Sequence, residues 1–244
     1  MTWLLVLAIG LLAGTLSGLV GFGGTTILLP ILTFVFGPKA AVPIMAIAAI
    51  LGNLSRVAVW WSSIRWPAVL AYSVAATPAA WLGAHTMLAL DPRTLELALG
   101  LFFMAMIPLR RWLAASGFAI GLAGLAMAGG AIGFLTGIVA NTGPINTPFF
   151  LAHGLAKGAF VGTEAMSSLT MFTSKALAFR AFGALPWSLV VNGLIVGSSL
   201  MAGAYIAKRF MHRMSENAFR DMMDVLLLVA GGAMVIGALG ALSS

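Results

Sequence analysis

The chain has 244 residues, of which 61% are hydrophobic and 8% charged, too little polar surface to cover a water-soluble fold of this size. A net charge of +7 would suit nucleic acid in a soluble protein, but here the basic residues stand in small groups between apolar runs. That is the habit of loops flanking membrane spans, and it argues against a nucleic-acid partner and for a lipid bilayer. Cysteine is absent, which excludes disulfides and thiolate metal sites.

The opening MTWLLVLAIG lacks the basic start and small-residue cleavage site of a signal peptide, so it reads as a retained membrane helix. Apolar runs follow at about 3–20, 25–36, 40–61, 67–90, 94–112, 117–140, 144–155, 159–179, 187–207 and 218–241. Eight are long enough to span as helices; the runs at about 25–36 and 144–155 are half-helices of roughly 18 Å. Asp91 and Pro92 read as the cap and first residue of one helix, and Pro67 and Pro186 open others. The expected fold is an all-α polytopic membrane protein of about eight spanning helices plus two half-helices.

A shift of 119 positions lays Gly10, Gly14, Gly18 and Gly24 on Gly129, Gly133, Gly137 and Gly143, and Ser55 and Pro67 on Ser174 and Pro186. The chain therefore reads as a duplication, with residues 1–115 as the first transmembrane repeat and 116–244 as the second. If each broken element turns back on itself, the halves are inverted. Lys39, Arg93 and Arg180 then fall on one side, and Arg65, Arg110, Arg111, Lys157, Lys208, Arg209, Arg213 and Arg220 on the other. The positive-inside rule favours this partition over the weaker four-to-seven one that parallel halves produce.

Both broken elements carry residues that weaken an apolar helix. The first, LVGFGGTTILLP, contains Gly23, Gly24, Thr25 and Thr26; the second, VANTGPINTPFF, contains Asn141, Thr142, Gly143, Asn146 and Thr147. A half-helix starting at such a turn points free N–H groups and a positive dipole end into the protein, as discontinuous transporter helices do toward anions. On the helices that follow, Asn53 and Arg56 in GNLSRVAVW are matched by Ser174 and Lys175 in FTSKALAF, so a cation recurs at one point of both copies. Glu164, the acid well inside an apolar run, is expected either to carry a coupled proton, to pair with Lys175, or to favour the first turn of its helix. His85, His153 and His212 are isolated without metal-ligand spacing, so neither metal nor cofactor is expected. The stripes of glycine at four-residue spacing, Gly10 with Gly14 and Gly129 with Gly133, read as close helix packing.

With GTLSGLVGFGGTTILLPIL, its duplicate GFLTGIVANTGPINTPFF and the NLSR and TSK elements, the sequence resembles the TauE/SafE family of sulfite and organosulfur-anion exporters, also called the 4-toluene sulfonate uptake permease family. The resemblance implies a carrier of small, often sulfur-containing anions in the cytoplasmic membrane of a bacterium, with substrate and direction varying among members. The expected function is secondary transport of one such anion, held by the half-helix starts together with Arg56 and Lys175 and driven by a coupled proton, another ion or the substrate gradient. An anion channel and a membrane-embedded enzyme are the alternatives; the enzyme has only scattered acids and histidines to work with.

Overall fold

The computed structural model describes residues 2–20, 24–139 and 142–210, with the single positions 225, 228, 232, 235 and 236. The described chain is helical, without strands: α1 (Thr2–Val20), α2 (Gly24–Phe36), α3 (Pro38–Trp60), a short 3-10 turn (Trp61–Ser63), α4 (Trp66–Ala89), α5 (Pro92–Ala115), α6 (Leu122–Ile138), α7 (Gly143–Ala152), α8 (Lys157–Ala181) and α9 (Trp187–Phe210). The two expected half-helices are α2 and α7, of 13 and 10 residues. A single residue, Gly37 at φ 76°, turns α2 into α3, a backbone geometry that glycine adopts without penalty.

By length and composition alone, two described stretches suffice to cross a membrane: Pro38–Ser63 and Pro92–Leu113. Shorter apolar stretches run over Val6–Thr15, Leu122–Ile138 and Trp187–Gly203, and the expected run at 218–241 lies almost wholly outside the described residues; α8 carries Thr163, Glu164, Ser167, Ser168, Ser174 and Lys175 along buried faces. The expected run from residue 117 begins as a helix only at Leu122. Before it, Ile120 N donates to Ala152 O at 3.1 Å and His153 Nδ1 lies 3.0 Å from Ile120 O, which ties this segment to the C-terminal end of α7. Asp91 caps α5 as expected, accepting from the backbone N–H groups of Arg93 and Thr94. The hydroxyl of Thr94, together with those N–H groups, holds the Asp91 carboxyl below its ordinary range.

Small residues set the closest approaches. A Cβ on Gly129, Gly133 or Gly137 would strike the backbone of Tyr72, Ala76 or Ala80, so α6 lies directly on α4; Gly14 and Gly203 join α1 and α9 in the same way. Gly137, next to the break, is occupied by the same packing.

These contacts fix relative directions. Residues 72, 76 and 80 meet 129, 133 and 137, rising together, so α4 and α6 are parallel. Gly10 and Gly14 meet Ser199 and Leu200, placing α1 parallel to α9, while Gly193 and Gly197 meet Ile47 and Leu51, placing α9 parallel to α3. The hydroxyl of Thr170 bonds that of Ser73 and Ser174 bonds Thr77 O, so α8 is parallel to α4. Across the middle the order reverses: Arg56 meets Glu164 and Trp60 meets Gly158, making α3 antiparallel to α8. Hence α1, α3 and α9 point one way and α4, α6 and α8 the other. A shift of 119 positions carries the starts of α2 and α3 at 24 and 38 onto the starts of α7 and α8 at 143 and 157. Under it the packed pair α1 and α9 exchanges with α6 and α4, and α3 with α9 exchanges with α8 and α4.

Candidate functional site

Two sets of polar groups lie inside the helical body. The first joins α3, α7 and α8. Arg56, near the end of α3, donates through Nη1 to Glu164 Oε2 at 2.9 Å, with the two side chains 14% and 5% exposed. Its Nη2 donates to Asn53 Oδ1 one turn earlier, and Asn53 Nδ2 donates to Ala49 O at 2.8 Å. The other carboxylate oxygen, Glu164 Oε1, accepts from Ser168 Oγ at 2.7 Å and from Asn146 Nδ2 at 3.3 Å. The helix ladder produces this arrangement: Asn53 and Arg56 at i and i+3, and Glu164 and Ser168 at i and i+4, share faces that meet across the α3 and α8 crossing.

The set is polar beyond its own needs. Asn146 Oδ1, Ser167 Oγ and Tyr72 Oη are buried without a hydrogen-bond partner in the protein, as is Thr33 Oγ1 on α2. Tyr72 packs its ring on Phe150 of α7, centroids 5.0 Å apart, and is close enough to feel the Glu164 charge. Buried polar atoms without partners are costly, so the open acceptor of Asn146 on Glu164 and the open hydroxyls of Tyr72 and Ser167 on the helices around it fit a place that receives a polar ligand.

The second set closes the end of α6. Lys175, fully buried, donates from Nζ to Thr136 O at 2.5 Å and Val139 O at 2.9 Å, and lies 5.6 Å from the ring centroid of Phe179. These are carbonyls that the last turn of a helix leaves open, and a cation there also meets the negative dipole end. Thr136 Oγ1 bonds Ile132 O and the Thr142 hydroxyl; Thr147 Oγ1 donates to Gly143 O at 3.0 Å; Ser174 Oγ donates to Thr77 O at 2.8 Å.

The sequence-expected residues therefore divide. Asn53, Arg56 and Glu164 come together. Lys175, Thr142 and Ser174 lie toward the far end of α8, and eleven residues of helix separate Glu164 from Lys175, about 16 Å. Glu164 pairs with Arg56, and the expected pairing with Lys175 is not made, because the two are three turns apart. Gly24, Thr25 and Thr26 form the first turn of α2 and Gly143 begins α7 after its cap Thr142; Gly23, Asn141 and the side chains of Thr25 and Thr26 lie outside the described residues. Tyr72, Ser167 and Thr136 were not singled out as site residues from sequence. Tyr72 is one of two tyrosines in the chain, inside an apolar run, and Thr136 has Ser17 opposite it at the repeat shift; both were readable signals. Among the described residues no group of acids and histidines could hold a metal ion.

No curated protein and no solved structure matches the chain. Its helical body, its broken elements and its buried ion pair accompany a match to the family model for the sulfite exporter TauE/SafE over residues 6–234. The chain belongs to the sulfite exporter TauE/SafE family, a family of membrane transporters.

Proposed function

We propose that the chain is a secondary carrier of a small organosulfur or sulfite-like monoanion in the cytoplasmic membrane of a bacterium, and neither an enzyme nor a channel. Two inverted repeats, 1–115 and 116–244, would provide about eight spanning helices and two half-helices. The matched helix boundaries and the opposed directions of α1 and α6, α3 and α8, and α4 and α9 support that reading. With those directions, Lys39, Arg93 and Arg180 fall at one end of the body and Arg65, Lys157 and Lys208 at the other, which is the partition the positive-inside rule prefers.

The observation that carries the site is Arg56, a half-buried guanidinium paired with Glu164, together with the unpartnered buried hydroxyls of Tyr72 on α4 and Ser167 on α8. A guanidinium suits a planar or tetrahedral oxyanion by two parallel N–H bonds, and the O–H groups add donors a carboxylate partner leaves unused. The anion would sit between α3, α7 and α8, close to Asn146 on the half-helix α7 and within reach of Asn53. The donors of the Thr142, Gly143 and Thr147 turn would lie on its path toward Lys175, and Gly23, Gly24, Thr25, Thr26 and Asn141 remain proposed lining of the two breaks. An anion a few ångströms across reaches Arg56 or Lys175 but not both.

Counterflow in proteoliposomes tests the reading. A carrier exchanges radiolabelled sulfite or methanesulfonate for unlabelled substrate against its gradient, and a channel does not. Arg56→Ala should weaken binding about 30-fold or more, as expected for removing one member of a buried charge pair. Chemical change in the recovered substrate would favour an enzyme.

A further inference from the structure

We propose that the transported anion and the Glu164 carboxylate are alternative partners of the Arg56 guanidinium, so that each anion bound requires one proton taken up by Glu164. This rests on the anion site proposed above, and adds to it the coupling ion, its stoichiometry and its direction.

The argument begins with charge. As folded, Arg56 and Glu164 form a neutral unit at 2.9 Å inside the helical body. If an oxyanion takes the guanidinium while Glu164 stays ionised, the buried unit carries a net negative charge; if Glu164 is protonated with no anion present, it carries a net positive one. Both are disfavoured where water cannot screen them. Adding the proton and the anion together restores neutrality. In balanced form, the proton from one aqueous side bonds Glu164 Oε1 and neutralises the carboxyl, the Arg56 Nη1–H bond to Oε2 breaks, and Nη1–H bonds the anion instead.

The unpartnered atoms fit the second state better than the first. A protonated Glu164 has an O–H that needs an acceptor, and Asn146 Oδ1 is a buried acceptor with no donor, on the amide that already touches Glu164 Oε1. Rotation of that amide about its last bond would offer the oxygen to the new O–H. The arriving anion brings acceptor oxygens, and Tyr72 and Ser167 hold O–H groups without acceptors. The proton and anion together would thus complete hydrogen bonds that the ion pair leaves open. The repeat mate of this place is apolar, since Met45, Ala48 and Ala49 stand where Glu164, Ser167 and Ser168 stand at the 119 shift, so the switch is built once in the chain.

Among the described residues, few other charges bear on Glu164. From α3 it faces Arg56, and from α4 Tyr72; the half-helix α7 offers Asn146 and α6 offers no titratable group. Arg65, after the 3-10 turn, bonds Thr163 through its backbone N–H while its side chain is exposed; on α8 itself Lys157 opens the helix two turns before Glu164, and Lys175 and Arg180 lie farther down. Because the empty carrier and the doubly loaded carrier have the same charge, anion and proton cross in the same direction and electroneutrally.

Calorimetry with methanesulfonate and 4-toluenesulfonate, which stay monoanionic from mildly acid to mildly alkaline pH, reads this directly on the purified full chain. Titrations in buffers of different ionisation heat should show one proton taken up per anion bound by the wild type, with affinity falling about tenfold for each unit of pH rise over the range in which that uptake is seen. Glu164→Gln should bind the same anion with no proton uptake and no pH dependence. Binding by the wild type that is lost in Arg56→Ala yet takes up no proton overturns the coupling and leaves the anion site standing. Undiminished binding in Arg56→Ala, or no binding of either sulfonate at any pH, overturns the anion site and the coupling with it.

Discussion

Arg56 on α3 and Glu164 on α8 stand 108 positions apart in the chain and 2.9 Å apart in space, the one from the first half of the sequence and the other from the second. Their bond crosses the antiparallel contact between the two halves. It also consumes the charge that the sequence alone offers to a substrate, so the resting site is closed electrostatically until something replaces one partner. A buried pair of this kind is weak evidence for stability, because desolvation offsets much of the attraction. Its presence beside unpartnered hydroxyls is better explained by use than by folding.

Breaking the pair from one side should cost more than removing it. Arg56→Met or Glu164→Met alone leaves an uncompensated charge, with an expected destabilisation of about 3–5 kcal/mol, whereas the double variant should recover most of it. Thermal unfolding in detergent checks the order. Equal losses in both singles and their sum in the double would mean the two residues do not interact in the membrane-extracted protein.

Topology can be read without background because the chain has no cysteine. Single cysteines at position 65, between α3 and α4, and position 93, at the start of α5, lie at opposite ends of the helical body. If the cation-rich end faces the cytoplasm, a membrane-impermeant thiol reagent added outside should label position 93 and spare position 65. Labelling both from outside would refute the arrangement, and the reverse pattern would refute its orientation.

The glycine contacts predict a second class of variant. Gly133→Val would drive its side chain into the Ala76 backbone of α4, and no rotamer removes a Cβ clash with main chain. Loss of folded protein is expected, seen as early elution in size-exclusion chromatography. Gly130→Ala, one turn earlier and with only the Ala75 side chain near at an ordinary contact distance, should fold normally.

The sequence made some of this legible and hid the rest for identifiable reasons. The half-helices announced themselves through glycine, threonine and proline where leucine was due, and α2 and α7 begin at the expected residues within one or two positions. Asn53 and Arg56 were readable as one face because their spacing is three. What spacing could not supply was the partner across the helix crossing. Glu164 is nearer in sequence to Lys175, on the same face, yet a helix rises about 1.5 Å per residue and keeps them apart. Ser167 was invisible for a similar reason, and Tyr72, though readable as a rare tyrosine in an apolar run, could not be assigned to the site: a lone hydroxyl there gains meaning only when tertiary packing sets it beside a charge.

Lys175 separates the two cations by function. The repeat shift places it opposite Arg56, and on sequence grounds both serve the substrate. Its ammonium, however, is spent on Thr136 O and Val139 O, carbonyls that end α6 just before the second break, with the Phe179 ring beside it. A cation there fastens the end of α6 to α8 and so sets the place from which the chain leaves for α7. Lys175→Met would leave two buried carbonyls unbonded, at roughly 1–3 kcal/mol for each such group, and should therefore lower the unfolding midpoint in detergent. Sulfonate affinity measured on the folded fraction should change less than about threefold, against about 30-fold or more for Arg56→Ala. A Lys175→Met protein that melts like the wild type but loses sulfonate binding as completely as Arg56→Ala would move the site down α8, to the α6 end and the turn at Thr142.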